Sequence, residues 1–363
     1  MAEQAAPSNS KHDGNTAEIV VEKNEVDTDE SHARQLADVL VEGDYRGHYS
    51  HGLNRLDMYV NDVRSGICGK SGEPEILKEK AATAWVDGKN LLGPVVGNFC
   101  CDLAVKKAKD AGMGWVVAKG SNHYGIAGWY SMRIMEHGFL GMSFTNTSPI
   151  VYPTRSSQDC LGTNPISLAA PGRENDSFVL DMATSAVAVG KIEMAHRKGV
   201  TELPAGWGVD AKGRDTTDPK EIMFKEGGLH PLGGPEINSG YKGYGLSAMV
   251  EIFCGMLGGS NWGRGIRRWM STEEVADLGQ CFVALDPDCF APGFQGRLQD
   301  LMNTLRNLVP LDPAKPVLVA GDPERAHIAE CKRMGGIPYH PTQIAYANNL
   351  AKRLGVNEPK VLL

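Results

Sequence analysis

The apolar residues of this chain change their spacing along its length. Towards both ends they recur three or four positions apart, the period of a helix with one face in a core. In the middle they form short runs broken by Gly, Pro, Asn and Asp, which reads as strands joined by turns. The spacing predicts helices over 29–42 (closed by Gly43), 50–64, 94–111, 126–136, 295–308, 322–335 and 342–354, and a buried helix over 244–257. It predicts strands over 19–21, 114–118, 140–146, 150–152, 166–169, 178–182 and 281–285, with hairpins and loops over 204–235. No repeat appears. Strands and helices do not alternate as a βαβ series would, so a mixed α/β (α+β) fold is expected.

At 363 residues, the chain is long enough for two domains and a core that needs no disulfide or metal. Lys and Arg number 37 against 44 Asp and Glu, a net charge of −7, which argues against nucleic acid or an anionic membrane as the main partner. The longest apolar stretch, Tyr244 to Leu257, is interrupted by Glu251 and falls short of the ~20 residues of a membrane span. The first residues lack the apolar segment of a secretory signal and read as a disordered tail over 1–17. Eight scattered Cys form no C-x-x-C pair, the pattern of reduced thiols in a cytoplasmic protein.

Several familiar motifs are absent. Gly66-Ile-Cys-Gly69-Lys70-Ser71 resembles a phosphate loop, but Arg64 stands where its first Gly belongs, and a helix precedes it. No G-x-G-x-x-G follows a strand, so the usual Rossmann fingerprint is missing. Neither H-E-x-x-H nor G-x-S-x-G occurs, and no metal site is expected.

Two segments concentrate reactive side chains. On the helix predicted over 50–64, Leu53, Leu56, Val60 and Val63 share one face, and His51, Arg55, Tyr59 and Asp62 form a stripe roughly 120° away. That stripe is either a solvated face or a site. As a site, Arg55 offers a carboxylate a two-point fork, and His51 a proton-transfer group, just behind Ser50. The turn Lys119 to Gly125 joins a strand to a helix, with His123 at its mouth. N–H groups at that helix start suit a dinucleotide pyrophosphate, and a simple capping turn is the alternative. Leu161 to Pro165 and Leu180 to Ser185 end strands in small polar residues, and Lys242 to Leu246 opens the helix over 244–257.

Six of these pieces come in one family's order: Ser50-His51-Gly52 with Arg55 and Tyr59; Ser121-Asn-His123-Tyr-Gly125; Gly162-Thr-Asn-Pro165; Leu180-Asp-Met-Ala-Thr-Ser185; Lys242-Gly-Tyr-Gly-Leu246; and Gly321-Asp-Pro-Glu324. Over about residues 18 to 360 the chain resembles the second, non-Rossmann malate/L-lactate dehydrogenase family of NAD(P)-dependent oxidoreductases. Ureidoglycolate and sulfolactate dehydrogenases and a cyclic-imine reductase belong to the same group.

The resemblance implies a mixed-sheet cofactor- and substrate-binding domain over 76–294. It implies a helical domain built from both chain ends, 18–75 and 295–363. It also implies a homodimer, a cofactor that is NAD or NADP, and a small 2-hydroxy or 2-oxo acid as substrate: malate first, then lactate, sulfolactate or ureidoglycolate. His123 and His51 would be the acid/base residues, with His123 favoured and Ser50 as relay. Arg55, Tyr59 and Thr163 would bind substrate. Tyr124, Gly125, Ile126, Ala127, Gly128, Asp181, Met182, Ala183, Gly321, Asp322, Pro323 and Glu324 would contact the cofactor. The imine-reducing branch carries an Asp a few residues after Ala-Thr-Ser; here Val189-Gly190-Lys191 stands there, which favours hydroxy-acid chemistry. A catalytically inactive binding relative would lack His51, His123 or Arg55, and all three are present. The basic stretch Arg264 to Thr272 receives no role.

Overall fold

A computed structural model describes residues 28–361; the tail expected over 1–17 and the strand expected over 19–21 lie outside the described residues. The first helix, α1 (Glu30–Tyr45), runs on past Gly43, which is buried where the His51 backbone packs against it. The single helix predicted over 50–64 is two pieces, a 3₁₀ turn at Leu53–Arg55 and α2 (Leu56–Arg64). Ser50 to Gly52 form a turn ahead of them. Asp44 causes the break: its Oδ2 accepts the Leu53 N–H at 2.8 Å and starts the helix there. Gly52 is required beside it, because a Cβ at 52 would overlap the Asp44 carboxylate.

Two strands that the spacing leaves unassigned follow, β1 (Glu75–Glu79) and β2 (Thr83–Asp87). β1 is exposed along its whole length and carries Glu75, Lys78 and Glu79, so it shows no alternation and makes a charged edge. Then come α3 (Gly93–Ala111), β3 (Met113–Ser121), α4 (Ala127–Met135), β4 (Leu140–Thr145), β5 (Ile166–Pro171) and β6 (Ser177–Met182). Beyond them lie α5 (Val189–Arg197), β7 (Gly208–Val209), β8 (Asp215–Thr216), α6 (Pro219–Phe224) and β9 (Gly228–Leu229). The chain closes with α7 (Gly240–Glu251), β10 (Leu278–Leu285), α8 (Phe294–Arg306), α9 (Asp322–Met334) and α10 (Pro341–Leu354).

The main sheet has seven strands in the order β1-β2-β3-β10-β4-β5-β6. Only β2 and β3 pair in parallel; every other neighbour is antiparallel, so this is a mixed sheet and not a doubly wound one. β10 arrives late in the chain yet lies near the centre, buried from Leu278 to Ala284. Its residues alternate between two cores: Phe282 and Ala284 pack with α3 and α4, and Cys281 and Val283 face Val250 and Cys254. Ala347, Leu350 and Leu354 of α10 join the core of Leu36, Leu40, Leu56 and Val60, so helices from both chain ends meet.

Two further expectations are refined. Within 204–235 the expected hairpin pairing stands, with β7 antiparallel to β8 and β9 in a second, three-stranded sheet, and the short helix α6 is the element that spacing left out. The buried helix expected over 244–257 begins at Gly240 and loosens into a π turn at Ile252–Met256. The sheet covers only one side of it, so Tyr241, Tyr244, Ile252, Met256 and Leu257 remain exposed. All eight Cys are free thiols, and Cys289 is the exposed one. Among the described residues, no helix is long and apolar enough to cross a membrane, and no three His, Cys, Asp or Glu gather as for a metal ion.

Candidate active site

The turn after α1 is held from both chain ends. Asp44 Oδ2 takes Leu53 N–H and also the Tyr339 hydroxyl, at 2.6 Å, from the segment before α10. Burial pushes the Asp44 carboxyl up to about 7 against these two bonds, so the group holding the turn carries a proton through much of the acid range. Ser50 and His51 sit on this turn, and Arg55 and Tyr59 follow on the next two helical turns.

The second half of the cluster stands at the end of β3. Asn122 Nδ2 donates to the Leu91 carbonyl at 2.9 Å, and Gln280 of β10 donates to the Asn122 carbonyl at 3.1 Å. The next residue, His123, is thereby aimed at α2. The rings of His51 and His123 stack at 5.9 Å with 14° between their planes. Helical spacing places His51 on one face with Arg55; in the structure it belongs to the turn and meets His123 instead.

Hydrogen bonds decide what each ring can do. The Tyr59 hydroxyl lies 2.5 Å from His123 Nδ1, and the Gly125 N–H points at the same atom from 3.3 Å. An N–H only donates, and burial holds Tyr59 in its phenol form, so Nδ1 carries the lone pair and the His123 proton is assigned to Nε2. His51 Nδ1 meets Ser50 Oγ at 2.8 Å, a partner able to donate or to accept. Desolvation, followed by the Arg55 and His48 charges, pushes the His51 imidazole down to about 3. Desolvation, then His51, Arg55 and Arg267, holds His123 well below the usual imidazole range. Both rings are neutral at neutral pH.

Arg55 supplies a positive charge beside them. Its Nε donates to the Ser50 carbonyl at 2.7 Å, and one Nη donates to Glu193 of α5 at 3.1 Å. α5 comes this close because residue 190 is Gly; a Cβ there would lie 2.5 Å from Ser50 Cβ. Over the guanidinium lies Trp269, 5.6 Å from Arg55 Cζ to the ring centre and 5.5 Å from the His123 ring. Neither Glu193 nor Trp269 stands out in the sequence. Trp269 belongs to the basic stretch 264–272, whose Arg267 is sunk against Asp62 at 2.6 Å with side chains only 7 % and 5 % exposed. Asp62 therefore anchors the wall of the cluster and is not solvated. The excess of Arg in that stretch is the one sequence signal that marks it.

The remaining candidates have other partners. Thr163 reaches Thr147 Oγ1 at 3.4 Å, and its carbonyl takes the Thr184 N–H at 2.8 Å. Its neighbour Asn164, fully buried, bonds to Glu251 at 3.0 Å; Asn146 does the same at 2.9 Å, a polar knot the sequence reading missed. Tyr124, Ile126 and Ala127 are core residues, and Tyr124 bonds to Ser143 at 3.0 Å. The Gly128 N–H at the start of α4 is already taken by Asp181 at 2.7 Å, so this donor is not free for a pyrophosphate. Met182 and Ala183 continue from β6, half-buried.

At the start of α9, Gly321 is buried, Pro323 is exposed, and Asp322 is bound by Arg306 at 2.7 Å. Glu324 lies 3.5 Å from His48. Burial raises the Asp181 carboxyl, His48 lowers it and Glu324 raises it, so Asp181, His48 and Glu324 form one acidic corner. Carboxylates there suit the hydroxyl groups of a dinucleotide ribose.

The family model described as malate/L-lactate dehydrogenase matches residues 16–347. A malate dehydrogenase of Pyrococcus horikoshii is 39% identical over 331 residues, 90% of each chain. An L-sulfolactate dehydrogenase of Methanocaldococcus jannaschii is 35% identical over 330 residues, covering 90% of this chain and 92% of its own. The crystal structure of a malate dehydrogenase from Entamoeba histolytica superposes with a TM-score of 0.86 at 32% identity, covering 92% of this chain and 94% of its own.

Proposed function

This chain belongs to the malate/L-lactate dehydrogenase family, and from that premise we infer that it reversibly oxidises malate with NAD. It is an NAD(P)-dependent 2-hydroxy-acid dehydrogenase. One observation carries the reading of the site: two stacked imidazoles beside a buried guanidinium. That set binds a carboxylate and takes a proton from a hydroxyl on the adjoining carbon, as oxidation of a 2-hydroxy acid demands.

Arg55 holds the substrate carboxylate, Trp269 flanks both Arg55 and His123, and Tyr59 holds the His123 ring. His123 gives its Nε2–H to the reacting oxygen and steadies the charge that grows there. His51, and not the His123 favoured from the sequence, is the ring that changes protonation state, because two donors already occupy His123 Nδ1 and its Nε2 carries the proton. Ser50 sets the His51 orientation. Nicotinamide, when bound, supplies the hydride acceptor in oxidation and the donor in reduction. Asp181 and Glu324 hold the ribose side of the dinucleotide, and these two carboxylates favour NAD, since they would repel an added phosphate. The exposed apolar side of α7 supports a homodimer built across it.

The test follows reduced-nicotinamide absorbance with NAD and NADP against malate, lactate, sulfolactate and ureidoglycolate. Malate with NAD should have the highest kcat/KM. Turnover of none of the four with either cofactor would refute the reading.

A further inference from the structure

The contact between Arg55 and Glu193 bears on how substrate enters. A guanidinium grips a carboxylate with two donors, either its two Nη groups or Nε with one Nη. Here Nε is spent on the Ser50 carbonyl at 2.7 Å, and one Nη on the Glu193 carboxylate at 3.1 Å. Both forks are thereby compromised. The pair is well shielded, with side chains 10% and 18% exposed. We propose that Glu193 is a built-in stand-in for the substrate carboxylate, and that a hydroxy acid binds by displacing it from Arg55. The proposal rests on the reading of Arg55 as the carboxylate clamp.

The helix that carries Glu193 is suited to moving. Of the nine residues of α5, only Ile192 is buried, in the small core with Val187, Leu203 and Ile222, and Val189 and Ala195 pack half-buried against it. Few buried contacts mean a small cost for local displacement. Gly190 sets the first turn of α5 against Ser50, so the same helix senses the segment that bears His51. In the resting protein the Glu193 contact prevents Arg55 from facing the two imidazoles as an uncompensated buried charge. An incoming carboxylate replaces that contact like for like. The price is affinity, because only the fraction of molecules with Arg55 released can bind.

Glu193→Gln keeps the shape and removes the charge that competes. It should lower KM for malate about three- to tenfold, with kcat and the KM for NAD unchanged within twofold. Glu193→Asp, whose side chain is one methylene shorter, should lower KM in the same direction. Calorimetry with malonate, a dicarboxylate that does not react, gives a second readout: both variants should bind it more tightly than the parent. A raised KM with reduced kcat in Glu193→Gln would mean that Glu193 holds Arg55 in its working position, and would overturn the proposal. Unchanged KM and unchanged malonate affinity would overturn it as well. Arg55→Lys separates the two readings. If it leaves KM and malonate binding intact, the clamp assignment fails; if it weakens both while the Glu193 variants stay silent, the clamp stands and the stand-in falls.

Discussion

The Tyr59 hydroxyl meets Nδ1 of His123 at 2.5 Å, joining the third turn of the segment that begins at Ser50 to the end of a central strand 64 residues away. Tyr59 is only 2% exposed, so the bond is shielded from solvent. The bond ties the tautomer of a proposed catalytic ring to the packing of α2.

Tyr59→Phe tests that coupling. It removes one donor from a buried ring nitrogen, a loss worth roughly 1–3 kcal/mol, or about 10- to 100-fold in kcat. The KM for NAD should hold, because the Tyr59 hydroxyl answers His123 and not the carboxylates of the acidic corner. Steady-state kinetics with malate check both expectations.

The two imidazoles should fail differently. His51→Ala should depress kcat by about 10²- to 10⁴-fold, the usual worth of an acid/base group. His123→Ala should lose less in kcat and also raise KM, as expected of a donor to the substrate oxygen. A nearly normal His51→Ala enzyme beside a dead His123→Ala enzyme would transfer the base to His123.

The pH profile should be displaced. Oxidation needs a neutral imidazole, so kcat/KM falls when the ring gains a proton as pH drops. Burial pushes His51 down to about 3 and holds His123 well below its ordinary value. The acid limb of kcat/KM should therefore lie below about pH 5, not near the ordinary ~6.5 of an imidazole. A limb near that ordinary value would show rings in contact with water.

Asp44 should give stability the opposite slope. Its carboxyl is raised in the folded state from 3.8 to about 7, so the fold binds this proton more tightly than the unfolded chain does. That contribution is fully present below 3.8 and is lost as pH rises through about 7. Asp44→Asn, which never ionises, should flatten this part of the curve. Thermal melts of the two proteins at pH 5 and pH 8 should differ more at one end than at the other, with Asn favoured at pH 8.

Arg267→Leu should strip the buried Asp62 of its partner. Leaving one charge unpaired costs about 3–5 kcal/mol, and the segment that carries Trp269 should loosen with it. A lower melting temperature together with a raised KM for malate is expected. Asp62→Asn in the same background should restore part of the stability.

Much was legible from the residues alone. Local spacing reports which way each short segment curls, so α3, α4, α9 and α10 lie close to where the apolar period puts them. Turn chemistry marked His123, and the order of six short motifs pointed to the family before any contact was visible. Spacing fails where a side chain distant in sequence intervenes. Asp44 starts a helix at Leu53 and so moves His51 off the face it would otherwise share with Arg55. β1 shows no apolar alternation because it is a wet, charged edge; only its partner β2 makes it a strand. Glu193 and Trp269 carry no motif, yet they enclose Arg55 from 138 and 214 positions away in the numbering. Periodicity is a property of neighbours along the chain, and so the sequence determined the longer helices, most central strands and the fold class. Which ring faces which, and which charge is already answered, depends on packing across the sheet and between the two chain ends. Those contacts exist only once the chain has closed on itself.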